Sequence, residues 1–275
     1  MTNPEETPFH NRKVLRSVAG SSPASETDQL AVEEPLEIRV DTRPVSVTMR
    51  TPGHDQELAL GFLFSEGLIH SASDVLKVAA RPDEVANGID VFLNVTLDFA
   101  RLTRHVFASS SCGICGKATI EAVHQHFPAV QSQMHIAAET LLALPGKLRQ
   151  AQETFNRTGG LHAAALFDEA GKLLLVREDI GRHNAVDKIL GHGLLHNSLP
   201  FEKHILLVSG RASFEIMQKA LAGRIPIVAA VSAPSSLAVE FAEASNQTLV
   251  GFLRGERMNI YAGPERIKFS GAQRI

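Results

Sequence analysis

The chain has no tryptophan, one tyrosine and two cysteines in 275 residues, and each shortage removes a class of function. So few aromatic rings leave little on which to stack the bases of single-stranded nucleic acid. A formal net charge of −3 supplies no basic excess for a duplex backbone, so no nucleic acid is expected as a partner. No apolar run is long enough to span a membrane. The N-terminus lacks a basic stretch followed by an apolar one, so no secretory leader is read and a cytoplasmic location is expected. Two cysteines cannot build a disulfide framework, and cytoplasmic thiols stay largely reduced. Both lie in Cys112-Gly113-Ile114-Cys115, followed by Gly116, a setting that packed core thiols would not need.

What remains is an ordinary globular content, 44% hydrophobic, in a chain long enough for two compact domains. Residues 1–28 are rich in Ser, Thr, Pro, Asn and Glu without apolar periodicity, which predicts a mobile tail with order beginning near Glu34. Alternation in Leu36–Val40 and Val45–Met49, around Asp41-Thr42-Arg43-Pro44, predicts a hairpin. Thr51–Asp55 supply turn and cap residues for a helix over Glu57–Ser65. Strands over Asp74–Ala80 and Ile89–Leu97 complete a small α+β unit within residues 29–108.

Beyond a Ser-, Gly- and Cys-rich break at 109–116, Lys117–Phe127 reads as a short helix. Ala137–Gln152 reads as a longer one interrupted at Pro145-Gly146. From His162 the two periodicities alternate. Strands are read at His162–Phe167, Leu173–Val176, Ile205–Ser209 and Ile227–Val231, with Leu249–Leu253 as a final core strand. Helices are read at His183–Leu190, Ser213–Ala222 and Ser235–Ala244. This order predicts an α/β domain over 109–275 with a largely parallel sheet covered on both faces.

Ligands of such sheets bind beyond the carboxyl ends of the strands. Four polar loops fall there: Arg177-Glu178-Asp179, Ser209-Gly210-Arg211, Ser232-Ala233-Pro234-Ser235 and Arg254-Gly255-Glu256. Gly210, Arg211 and Ser213 combine a permissive turn, a cation and a helix start, which is an anion seat. A plain strand-to-helix turn capped by Ser213 explains the same residues. Arg254 and Arg257 can fork onto phosphates. Taken alone, Asp179–Lys188 reads as a capped amphipathic helix and His162 as a packed histidine.

The chemistry sits in Ser109–Lys117. A helix beginning near Lys117 presents unpaired N–H groups and its positive dipole end to the preceding thiols, which stabilises a thiolate. A thiolate attacks sulfane sulfur or a disulfide. Three uses stay open. A structural zinc site needs two histidines in addition, and no H-x-x-x-H pair lies nearby. A redox dithiol would follow a strand in a βαβ unit, which Arg104–Phe107 barely provides. Sulfur carriage would place a persulfide on one cysteine while the other assists. Thr158–Ala164 also resembles the H-x-E strand of zinc deaminases, but Ala164 stands where the general acid/base Glu would be.

Five stretches in order, Ser111–Gly116, Thr158–Ala164, Asp179–Lys188, Ser209–Glu215 and Gly251–Arg257, resemble the FdhD family of formate dehydrogenase accessory sulfurtransferases. The match runs over roughly residues 34–265. The resemblance implies a cytidine-deaminase-like C-terminal α/β domain with a smaller N-terminal α+β roll, assembled as a homodimer. It implies a sulfurtransferase that accepts a persulfide from a cysteine desulfurase. The sulfur then passes to the molybdenum bis(molybdopterin guanine dinucleotide) cofactor needed by the formate dehydrogenase catalytic subunit. Carried over, Cys112 is the persulfide carrier and Cys115 its partner. Phe252, Leu253, Arg254, Gly255, Glu256 and Arg257 match the cofactor-binding segment. Gly210, Arg211, Ser213, Arg182 and His183 join them as expected contacts, and no resident metal or membrane contact is expected. The competing reading is a non-enzymatic cofactor chaperone whose C-x-x-C binds metal or cycles as a redox pair.

Overall fold

The computed structural model describes residues 7–82, 87–97, 120, 123–124 and 126–270. Its first element departs from the expected tail over 1–28. Strands β1 (Phe9–Arg16) and β2 (Ala24–Ala31) pair antiparallel from Phe9↔Ala31 to Arg16↔Ala24. Composition misleads here because most of the hairpin's side chains face outward and bury no apolar stripe. The backbone ladder holds it, with Arg16 pairing Glu26 at 3.1 Å. Arg157 fixes its base, lying 3.7 Å over the Phe9 ring and donating to Gln29 at 2.9 Å.

β3 (Glu34–Val40) turns its alternate residues Leu36, Ile38 and Val40 inward, and it forms the expected hairpin with β4 (Arg43–Arg50). After α1 (Asp55–Ser65), strands β5 (Val75–Pro82) and β6 (Asn87–Leu93) complete a four-stranded sheet ordered β4-β3-β6-β5. Arg50, 1% exposed, ties the turn into α1 by donating to the Asp55 carboxylate at 3.0 and 2.7 Å and to Glu34 at 3.0 Å.

The second unit opens with β7 (Ile136–Ala137), α2 (Ala138–Ala151) and α3 (Glu153–Thr158). Helix α2 is not interrupted at Pro145. One backbone hydrogen bond is lost there, while Leu141, Leu144 and Leu148 stay buried along one face and carry the helix through. Next come β8 (His162–Asp168), β9 (Leu173–Asp179), α4 (Arg182–Leu195), β10 (His204–Val208), α5 (Phe214–Ala222), β11 (Ile227–Ala230) and α6 (Ser236–Ala244). β12 (Thr248–Arg254), β13 (Arg257–Ala262) and β14 (Ile267–Lys268) close the chain, and β14 pairs with β7.

The main sheet is ordered β13-β12-β11-β10-β8-β9. It is mixed, not largely parallel. Only β10–β11 and β11–β12 are parallel neighbours, each pair joined through a crossover helix, while the α4 crossover from β9 to β10 passes over β8. β8–β9 and β12–β13 are hairpins, and β8 runs opposite to β10. β13 was not anticipated, since the Arg254–Arg257 turn reads in sequence as the end of the last strand.

Both faces of this sheet are covered, as expected. Ala164 and Leu166 face α4, α5 and α6, while Ala163, Ala165 and Phe167 face α2, the two-residue period of a strand buried on both sides. The α4–α6 core continues without a break into Leu36, Ile38 and Leu58 of the first unit. The join is α1 against α4, where backbones touch. A Cβ on Gly61 would lie 1.8 Å from the Asp187 carbonyl oxygen, and one on Gly191 would lie 1.8 Å from that of Glu57. Buried charges flank the contact. Glu57 receives Arg177 at 2.5 and 2.7 Å, and Asp187 receives Lys219 at 2.9 Å and the Ser65 hydroxyl at 2.9 Å.

Gly61→Ala and Gly191→Ala must therefore push two helices apart. Each is expected to lower the unfolding free energy by about 1–3 kcal/mol, read from the denaturant midpoint. Gly146→Ala is the control: its Cβ would meet nothing within 4 Å in α2, so the midpoint should hold or rise.

Candidate functional site

Strand directions bring five chain segments to one edge of the main sheet. β10, β11 and β12 end there, as does β9, while β8 begins there with His162 opposite Asp179. Backbone bonds lace the loops together. Ser209 N–H donates to Ala163 O at 2.9 Å and Phe252 N–H to Ser232 O at 3.0 Å, while Ala212 bridges Pro234. The four loops singled out in the sequence thus share one face.

Helix α4 starts on that face because of a buried hub. Asp179, fully buried, accepts from Gly181 N–H at 2.8 Å and from the Asn184 amide at 2.9 Å through one oxygen. Its other oxygen lies 2.7 Å from Lys188 Nζ, itself 1% exposed, and accepts from Thr51 N–H at 3.3 Å. Asn184 and Lys188 also donate to the carbonyls of Met49 and Thr51. The stretch Asp179–Lys188 is therefore not an amphipathic helix start. Asp179, Asn184, Asp187 and Lys188 are buried structural groups, and Arg182 and His183 are the charged or titratable side chains left half-exposed.

His183 Nε2 lies 3.2 Å from Ser213 Oγ and 2.9 Å from the Glu215 carboxylate. That hydrogen bond leads the effects holding the Glu215 carboxyl below its usual range, against the opposing effect of burial. Ser213 caps α5 by accepting from Ile216 N–H, and Ser235 caps α6 by accepting from Ala238 N–H at 3.2 Å. Two helix N-termini therefore point to the edge. Gly210 matters for space, since a Cβ there would sit 3.3 Å from His162 Nδ1 and 3.9 Å from Arg182 Cβ.

His162, left out of the expected site, lies within this cluster. Burial, then the charges of Arg182, His183 and Arg211, push its pKa below the ordinary 6.5. Its place at the first residue of a strand antiparallel to β10 was the feature that could have revealed it.

The segment Phe252–Arg257 divides. Phe252 takes a left-handed backbone, φ 51°, where the β12–β13 register shifts between Gly251 and Arg254. Leu253 is fully buried among residues facing α2, so its side chain packs the core. Arg254, Gly255, Glu256 and Arg257 form an exposed tip in which the two arginines stand directly opposite each other. Arg254 lies 5.6 Å over the Phe252 ring. Arg182, Arg211, Arg254 and Arg257 form no ion pair with any described residue, unlike Arg50 and Arg177. Among the described residues no group of three His, Cys, Asp or Glu side chains could hold a metal ion.

Cys112 and Cys115 lie outside the described residues. The chain that follows them packs on α6, with His124 Nε2 2.9 Å from Ser245 Oγ and Val123 buried. No helix among the described residues is long and apolar enough to cross a membrane.

A family model described as the FdhD/NarQ family matches residues 31–268. The sulfur carrier protein FdhD of Streptomyces avermitilis is 48% identical, over 95% of this chain and 96% of its own. That of Mycobacterium tuberculosis is 50% identical over 92% and 96%, and that of Sulfolobus acidocaldarius 45% over 93% and 98%. A crystal structure from Desulfotalea psychrophila, assigned as a formate dehydrogenase accessory protein, superposes with a TM-score of 0.77. It is 24% identical and covers 95% of this chain and 100% of its own, so it attests the fold.

The charge cluster makes a measurable claim. An NMR titration should place the His162 pKa below 6.5, and Arg182→Gln should move it back upward by removing the leading like charge. Because the folded value lies below the ordinary one, His162 costs stability on protonation. That loss should set in as pH falls below about 6.5 and should be smaller in the variant.

Proposed function

Because the chain belongs to the FdhD/NarQ family, we propose that it is a sulfur carrier acting in formate dehydrogenase maturation. Cys112 takes the sulfane sulfur of a cysteine desulfurase as a persulfide: the Cys112 thiolate bonds to the terminal sulfur, and the desulfurase cysteine leaves as a thiolate. Cys115 is the partner thiol. Its attack on Cys112 yields a Cys112–Cys115 disulfide and releases the terminal sulfur as hydrosulfide, which balances electrons without an outside oxidant. The sulfur is destined for molybdenum in the bis(molybdopterin guanine dinucleotide) substrate of a formate dehydrogenase. The protein works in the cytoplasm as a homodimer.

One observation carries the assignment of the client site: the carboxyl edge gathers Arg182, Arg211, Arg254 and Arg257, none of which meets a carboxylate among the described residues. Arg50, Arg177 and Arg266 are matched by carboxylates, whereas these four meet none among the described residues, which supports an anion arriving from outside. Two of them face each other at the exposed tip of β12–β13, a like-charge pair that a bound anion would stabilise. A dinucleotide pyrophosphate has that charge and suits the guanidinium fork. Ser213 and Ser235 place two more N–H-rich helix ends beside it. His183 acts here as a hydrogen-bonding group held by Glu215.

Incubation with a cysteine desulfurase and cysteine, followed by peptide mass spectrometry, should find added sulfur on residues 109–117. Cys112→Ala should lose it, along with activation of formate dehydrogenase in cells, while its unfolding midpoint stays unchanged. Absence of added sulfur in the wild-type chain, or full activation by the variant, would refute the assignment.

A further inference from the structure

The carboxyl end of α4 carries His192 and, at its cap, His196, four residues apart and therefore one above the other on a single helix face. Their rings stack with centroids 4.0 Å apart and planes 25° from parallel. Both reach solvent: the His192 side chain is 28% exposed, and His196 is an exposed residue. The pair lies at the opposite end of α4 from Arg182 and His183, and the function proposed above does not use it.

The hydrogen bonds around the two rings decide which nitrogen is available. His196 Nδ1 lies 2.9 Å from the His192 carbonyl oxygen, which can only accept, so this Nδ1 carries a proton. His192 Nδ1 lies 2.9 Å from a Glu57 carboxylate oxygen. Glu57 is paired with Arg177 and therefore ionised, and a ring lone pair aimed at that anion would be repelled. His192 Nδ1 thus carries a proton as well, and Arg177, 3.2 Å from the same nitrogen, spends its N–H groups on Glu57. In a neutral ring, a proton on Nδ1 leaves Nε2 as a bare lone pair. Neither Nε2 has a partner among the described residues. A ring fixed through one nitrogen by a carboxylate or a carbonyl, with the other nitrogen free, is how metal-ligating histidines are held.

We propose that His192 and His196 bind a divalent transition-metal ion, copper(II) or nickel(II), through their two Nε2 atoms, with water filling the remaining positions. Imidazole suits these ions, whereas magnesium and calcium take oxygen ligands. The spacing is the one by which a helix offers two histidines to one metal in H-E-x-x-H sites. Metal–nitrogen bonds of about 2.0–2.1 Å let one ion span nitrogens up to about 4 Å apart, comparable with the 4.0 Å between the ring centroids. Small rotations about side-chain bonds then suffice to close the rings on it. The negative end of the α4 dipole also favours a cation there. The support is rigid. His196 N–H closes the turn on His192 O at 3.0 Å, and a Cβ on Gly193 would meet Phe201 and Leu199 at 2.6 and 2.9 Å. Two protein ligands are too few for a closed structural zinc centre. Among the described residues no third His, Cys, Asp or Glu completes a set, so the ion stays open to water and exchanges.

Nickel(II) is the probe, added to the full chain carrying Cys112→Ala and Cys115→Ala so that thiols do not compete. Calorimetry should find a single strong equivalent. Nickel should also raise the melting temperature, because only the folded helix brings the two rings together. His196→Gln should weaken nickel by about tenfold or more, since losing a ligand costs no less than losing its outer support. Combining Leu195→His with His196→Leu keeps the histidine count and breaks the spacing, so it should bind as weakly as His196→Gln. Both positions are exposed, and the melting temperature without metal should stay at the parent value. Magnesium should neither bind nor shift the melting temperature. Failure of the parent chain to bind nickel, unchanged affinity in either variant, or a thermal shift that magnesium reproduces overturns the proposal.

Discussion

Lys188 and Asp179 form an ion pair at 2.7 Å with side chains 1% and 0% exposed, and the arrangement of the whole edge depends on it. Two charges so deeply removed from water hold together only if every remaining valence is met. Here Gly181, Asn184 and Thr51 complete the carboxylate, and the Thr51 and Glu178 carbonyls complete the ammonium. The geometry leaves few alternatives. The end of β9, the first turn of α4 and the segment after β4 must meet at one point, which in turn fixes where Arg182 and His183 emerge.

The same logic recurs twice along α4. Asp187 meets Lys219 and Ser65, and Glu57 meets Arg177 and His192, so the helix joins three neighbours through charge as well as through apolar contact. Burial pushes the Glu57 carboxyl upward, but hydrogen bonds from Arg177 and His192 outweigh it and hold the group below its ordinary value. Burying ions seldom adds net stability, but it discriminates strongly against any packing in which a partner is missing. The small first unit is thereby committed to one placement on the sheet that carries the site.

Much of this was legible in the sequence, and the rest was hidden for identifiable reasons. Alternation located β3, β8, β10 and β11 to within a residue or two, because each turns at least one face into a core, and it located β4 although Val47 and Met49 there are exposed. The shared face of four loops followed from strand order alone. The β1–β2 hairpin was invisible because it is held by a backbone ladder and surface charge, which leave no apolar period. Asp179–Lys188 looked amphipathic because sequence cannot tell a buried charge with partners from a solvated one. Leu253 was grouped with its neighbours by motif, although the register shift beside it turns its side chain into the core. His162 reads in sequence as a packed histidine and is half-buried, and the charged groups beside it come from two other segments that sequence does not bring together.

The reciprocal contact of Gly61 and Gly191 also restricts how the molecule can move. Where a Cα of one helix rests on a carbonyl of the other, sliding by even half a residue would drive a Cβ into backbone. That joint works as a weld, with no shear plane between α1 and α4. The two units are therefore fixed to each other at this joint, and the sheet edge that carries the arginines keeps one placement relative to α1.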